Sequence, residues 1–91
     1  MNKGELIDRI AAQTELAKKH IAMVLDAAVD EITEAVADGE KVVLVGFGSF
    51  ERRDRKEREG RNPKTGDTMT IPATKVPAFS AGKQFKERVA A

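Results

Sequence analysis

Residues 46–67, GFGSFERRDRKEREGRNPKTGD, decide the fold. From Glu51 to Gly60 the chain carries no apolar residue. As a helix this segment would be polar all round and would have no face to dock. As an ordinary strand it would have nothing to bury. It is followed by the turn NPKTGD and by a second extended run, TMTIPATKVPAF, residues 68–79. Two extended segments around a glycine-containing turn read as a β-hairpin. A hairpin this polar projects into solvent as an arm, over about residues 52–75. Pro72 and Pro77 fit an edge strand, where a missing N–H is tolerated.

Upstream, Val42–Val45 is apolar at every position, the pattern of a strand covered on both faces or meeting a helix. Glycines on both sides of Phe47 mark a tight turn or a close backbone approach. Phe47 and Phe50 read as core, shared between two chains. Before them the period is helical. Asn2 and Glu5 resemble a capping box, and Leu6, Ile7, Ile10 and Ala11 place helix 1 over about residues 3–13. Helix 2 spans about 17–38, with Ile21, Val24, Leu25, Ala28, Ile32, Ala35 and Val36 on one face and acids mostly on the other. Gly39 ends it. A short helix over residues 81–90 closes the chain, with Ser80 as the expected N-cap and Phe85 and Val89 as the inward stripe. The fold class is α+β: a helical hairpin (1–40), a β-sheet with its arm (41–80) and a C-terminal helix (81–91), forming a single domain over 1–91.

The net charge of +1 hides an asymmetry. Residues 1–40 hold four basic and nine acidic side chains, net −5, and residues 41–91 hold twelve basic and six acidic, net +6. Such a split points to an anionic partner for the second half. With no cysteine and one histidine, disulfides, thiolate metal sites and multi-histidine sites are excluded. No Ser–His pairing is indicated, His20 reads as a surface or boundary residue of helix 2, and GFGSF lacks the Gly-Lys-Ser/Thr ending of a phosphate loop. No enzyme, cofactor, metal or small-molecule substrate is expected. No apolar run approaches the roughly 20 residues of a membrane span. MNKGELIDRI lacks the apolar core of a secretory leader, so an intracellular location is the expectation. Ninety-one residues without a disulfide or metal commonly gain burial by oligomerising.

Residues 52–64 contain seven basic and three acidic side chains. By strand alternation Arg53 and Arg55 share one face, and Arg52, Asp54 and Lys56 the other. Arg58 breaks this parity, so a bulge or twist is expected to re-aim it. Arg61 and Lys64 flank the tip. A two-stranded ribbon fits a DNA groove, arginine favours a narrow minor groove, and phosphate contacts make binding salt-dependent. Asn62 has the chemistry to read a base edge. Pro63 either pre-sets the turn or wedges a rigid ring between bases.

VGFGSF, the basic run behind it, GRNPKTG, IPATKVPAFSAGK and the opening MNKGELID together resemble the bacterial HU family of histone-like proteins, over essentially the whole chain. HU proteins are among the minor-groove binders that insert apolar wedges. The resemblance implies an intertwined homodimer whose three-stranded antiparallel sheets extend into β-ribbon arms around double-stranded DNA. It makes Pro63 the intercalating residue and implies arm contacts from Arg53, Arg55, Arg58 and Arg61, with Asn62 and Lys64 at the tip. It also implies body contacts from Lys3, Lys75, Lys83 and Lys86, and a dimer core of Ile32, Val36, Leu44, Phe47, Phe50 and Phe79. A cytoplasmic, nucleoid-associated protein follows. One departure concerns helix 2, where the family often has a Ser or Thr cap and this chain has Ala17; Thr14 is an alternative cap one turn earlier.

The function so implied is a non-catalytic architectural protein that bends, wraps and compacts DNA with little sequence preference. Two other readings compete. One is an integration-host-factor-like, sequence-preferring subunit; the other is a dimerisation module whose hairpin binds a protein.

Overall fold

The computed structural model describes residues 1–91 as α1 (Lys3–Thr14), α2 (Lys18–Ala37), β1 (Val42–Leu44), β2 (Gly48–Arg55), β3 (Arg58–Arg61), β4 (Thr68–Ile71), β5 (Thr74–Ala81) and α3 (Lys83–Ala90). These elements fall into two units, Met1–Glu34 and Ala35–Ala91.

In the first unit α1 starts where Asn2 Oδ1 accepts the Glu5 amide at 2.9 Å, satisfying one of the orphan donors of a helix start. It ends at Glu15, a non-glycine residue at φ 60°, whose amide donates to the Ala11 carbonyl. Thr14 does not cap α2. Its hydroxyl donates to the Ile10 carbonyl at 2.7 Å and accepts the Leu16 amide at 3.3 Å, so it shapes the link between the helices. α2 begins directly after Ala17, whose carbonyl accepts the His20 and Ile21 amides. Lys3 pairs with Asp26, and Lys18 with Asp8 at 2.9 Å, joining the two helices by charge. Ile7 and Ile21 are buried, whereas Leu16, Met23, Val24 and Val29 are exposed. On the apolar face that the helical period defines, Val24 and Ala28 are open and Leu25 and Ile32 half-buried, and Leu16, Met23 and Val29 add exposed apolar surface beside it.

The second unit opens on the last turn of α2. Gly39 lies at φ +90°. Its amide donates to the Val36 carbonyl at 3.0 Å, and the Glu40 amide to Ala35 at 2.9 Å. This pair of bonds is a Schellman ending, which needs a left-handed residue best supplied by glycine. The next free carbonyl, of Ala37, accepts Arg52 Nη1 at 3.3 Å. Arg52 thus satisfies a helix end and sets its charge against the negative pole of the helix.

The sheet has the order β1-β2-β5, antiparallel throughout. Gly48 sits where β2 pairs with both neighbours, facing Leu44 and Ala81. A Cβ there would lie 2.5 Å from both Phe79 Cζ and the Ser80 carbonyl oxygen, so only glycine fits. The turn before β2 holds α3: the Gly82 amide donates to the Phe47 carbonyl at 2.8 Å and the Phe85 amide to the Gly46 carbonyl at 3.1 Å. Hence the N-cap of α3 is Gly82 and not Ser80. Ser80 belongs to β5, opposite Ser49. Backbone carbonyls of the turn do the work that a capping side chain does elsewhere.

Val42–Val45 departs from the covered strand expected. β1 is a three-residue edge strand. Val43 is 59% and Val45 95% exposed. Val89 is likewise exposed, and Phe85 alone of the α3 stripe is half-buried.

Candidate nucleic-acid interface

β2 and β5 form an eight-rung ladder from Gly48↔Ala81 to Arg55↔Thr74. β3 and β4 continue outward from Arg58↔Ile71 to Arg61↔Thr68. Between them lie Lys56 and Glu57 on one strand and Pro72 and Ala73 on the other, so two unpaired residues face two. Pro72 has no N–H to donate, which accounts for the interruption on its side. No residue is inserted, and parity carries through. The expected bulge at Arg58 is absent. Arg58 shares its face with Asp54 and Lys75, while Arg53, Arg55 and Arg61 share the opposite face with Thr68, Thr70 and Thr74.

The cations of the ribbon differ in what holds them. Arg53 Nε donates to Glu51 Oε1 at 3.1 Å and its Nη2 to Ser80 Oγ at 3.3 Å. Arg52 is docked on α2, with Asp54 3.7 Å away. No carboxylate lies within ion-pair distance of Arg55, Lys56, Arg58, Arg61, Lys64 or Lys75. These six side chains are exposed and free for an anionic partner.

The tip spans residues 62–67. The Asn62 amide donates to the Asp67 carbonyl at 2.9 Å and the Gly66 amide to the Asn62 carbonyl at 2.8 Å. Gly66 stands at φ +75°. Asn62 Oδ1 accepts the Lys64 amide at 2.9 Å, and Thr65 Oγ1 accepts the Asp67 amide at 3.3 Å. Pro63 is exposed at the end of this closed loop, between Arg61 and Lys64.

The remaining sequence-derived residues lie elsewhere. Lys3 is the first residue of α1 and is paired with Asp26. Lys83 and Lys86 are on α3, which follows the end of the β2–β5 ladder farthest from the ribbon; Lys83 has Glu87 at 3.9 Å and Lys86 has no acidic partner. The residues assigned to a dimer core divide by burial. Val36 is buried, Ile32 and Phe50 are half-buried, and Leu44, Phe47 and Phe79 are 43%, 46% and 42% exposed. Phe47, Phe50 and Phe79 join Phe85 in one ring cluster, with Phe47 stacked on Phe85 at 5.1 Å and Phe50 tilted on Phe79 at 4.9 Å. Composition alone did not single out Arg52 as a cap or Asn62 as a tip brace. The Asn-Pro dipeptide carried the second signal, since asparagine before proline initiates turns. No helix is long and apolar enough to cross a membrane, and no group of three or more acidic, histidine or cysteine residues is placed to hold a metal ion.

A sheet that runs out into a two-stranded basic ribbon with a stiff tip defines a ribbon-armed binder of polyanions. Comparison with known proteins is specific. The sequence model of the family described as "Bacterial DNA-binding protein" matches residues 1–90. DNA-binding protein HU of Synechocystis sp. is 62% identical, with 99% of this chain and 96% of the relative covered. HU of Nostoc sp. is 63% identical at the same coverage. A cocrystal structure of Anabaena HU with DNA superposes with a TM-score of 0.93 at 63% identity, covering 99% of this chain and 98% of that one. HU from Thermotoga maritima gives 0.71 at 42% identity, covering 98% of each chain. The chain belongs to the HU family of bacterial histone-like DNA-binding proteins.

Proposed function

We propose that this protein is a non-catalytic architectural protein that binds double-stranded DNA as a homodimer and bends, wraps and compacts it with little sequence preference. The observation that carries the reading is the ribbon: six free cations on two faces around an exposed proline at a braced tip. Arg55 and Arg61 neutralise phosphates along one face and Arg58 and Lys75 along the other, while Arg53 joins them once released from Glu51. Lys64 holds phosphate beside the tip. Pro63 wedges a base step, a mode in which unstacking costs a few kcal/mol and is offset by the contacts that bent DNA gains. Lys3, Lys83 and Lys86 take the flanking duplex.

Dimerisation is supported by the open apolar surface within each unit. Three buried aliphatic side chains, Ile7, Ile21 and Val36, are too few to hold a 91-residue chain alone. A second copy closing over Leu44, Phe47 and Phe79 supplies the missing burial, and residues 1–91 then act as one DNA-binding domain. The HU names of the relatives support the weakly selective reading over the sequence-preferring one, and a nucleoid-associated location goes with it.

The test is energy transfer across an end-labelled duplex. Pro63→Ala is expected to reduce bending more than it reduces affinity, because the ring acts on the base step and the cations remain. Equal transfer for the two proteins at saturation refutes the wedge. No binding to duplex at low salt refutes the function and leaves the protein-binding hairpin.

A further inference from the structure

We infer that Asn62 is the positioning residue that aims the Pro63 ring; this rests on the wedge role proposed for Pro63. The side chain of Asn62 spans the proline, accepting from the amide of Lys64 at 2.9 Å. The proline ring fixes its own φ but leaves its ψ free. A bond from residue 62 to the amide of residue 64 removes that freedom, and it is the Asx turn that asparagine forms with the backbone two residues on. Asn62 is half-buried while Pro63 is exposed, so the brace lies inside the loop and the ring outside. A wedge enters a base step in one orientation. A tip already held in that orientation loses less freedom on binding, which strengthens the bent complex without adding a contact.

The brace uses the amide oxygen alone, and the amide nitrogen makes no hydrogen bond within the chain. Base reading by that nitrogen, a donor that the minor-groove acceptors of A·T pairs accept, is the competing role that the variants separate. The backbone bonds Asn62 N to Asp67 O and Gly66 N to Asn62 O do not involve the side chain. Truncation therefore removes the brace and leaves the hairpin closed.

The experiment compares wild type, Pro63→Ala, Asn62→Ala and Asn62→Asp as full chains. It measures bending at saturation, affinity for three unrelated duplexes and exchange of the Lys64 amide in the free protein. Aspartate keeps the acceptor and removes the amide donor. Asn62→Ala is expected to lower the ratio of strongly bent to weakly bent complex, and to speed Lys64 exchange, each about fivefold. At about 1.4 kcal/mol per factor of ten this is about 1 kcal/mol, the net worth of one hydrogen bond. Asn62→Asp is expected to restore both while binding more weakly, through its added charge. The ranking of the three duplexes is expected to stay the same in all variants. Bending lost in Pro63→Ala but kept in Asn62→Ala overturns the inference and spares the wedge. Bending kept in Pro63→Ala overturns both. A failure of Asn62→Asp to restore bending, or a changed duplex ranking in Asn62→Ala, also overturns it, the latter in favour of base reading.

Discussion

Replacing Arg55 by alanine tests whether the free cations of the ribbon meet phosphate. Each arm carries six cations with no carboxylate in ion-pair range, Arg55, Lys56, Arg58, Arg61, Lys64 and Lys75. If the twelve in a dimer all neutralise phosphates, log affinity falls against log salt with a slope of about −11, at about 0.9 per contact. Arg55→Ala removes two contacts per dimer and is expected to flatten the slope by about 1.8. Between about 50 and about 200 mM salt, a fourfold change, the advantage of wild type over the variant then shrinks about 12-fold. Anisotropy titrations of a labelled duplex at four salt concentrations measure both lines. Arg52→Ala is the internal control. Its guanidinium is spent on the Ala37 carbonyl, so the slope is expected to stay at the wild-type value although the same formal charge is lost. Parallel lines for Arg55→Ala and wild type refute phosphate neutralisation by Arg55. Equal flattening by Arg52→Ala and Arg55→Ala refutes the division of the ribbon into docked and free cations.

Two further outcomes concern stability. Arg52→Ala uncaps the end of α2 and is expected to cost about 1 kcal/mol. For a domain of this size that is a Tm lower by about 4–8 °C at fixed protein concentration; an unchanged Tm removes the capping role. Gly48→Ala drives a Cβ to 2.5 Å from the Ser80 carbonyl oxygen, a backbone atom held in the β2–β5 ladder. The cost expected is about 1–3 kcal/mol, whereas at Gly66 a Cβ meets nothing within 4 Å and the cost is the left-handed backbone alone. Equal melting of the Gly48 and Gly66 alanine variants contradicts the close approach.

The arm was legible because its signal is local. Ten residues without an apolar side chain, Glu51 to Gly60, leave one arrangement that costs no burial. The helices were legible from period and punctuation, with Asn2 and Gly39 at the ends where they were expected. What failed depended on atoms far along the chain. Ser80 looked like a cap, but the acceptors for α3 are the carbonyls of Gly46 and Phe47, on a turn more than thirty residues earlier. Arg58 stays on the face opposite Arg53 and Arg55, and no bulge re-aims it, because Lys56 and Glu57 are matched by Pro72 and Ala73 on the other strand. The run Val42–Val45 reads as covered, yet Val43, Leu44 and Val45 are exposed in the chain. Periodicity does not distinguish cover supplied by the chain itself from cover supplied by a partner.

The acids within the ribbon gain a reason from this division of roles. A purely basic arm would maximise attraction to phosphate, yet Glu51 holds Arg53 and Asp54 lies beside Arg52. Both pairs sit where the ribbon leaves the sheet, and the unpaired cations lie at its end and beyond. Pairing at the root offsets the repulsion of adjacent guanidiniums, Arg52 and Arg53, in the part that must stay folded against α2 and β5. Outward from there Glu57, Glu59 and Asp67 alternate with Lys56, Arg58, Arg61 and Lys64 without forming an ion pair. The hairpin is therefore divided by pairing rather than by net charge, with cations held by the chain where it leaves the sheet and cations left unpaired from Arg55 and Lys75 outward.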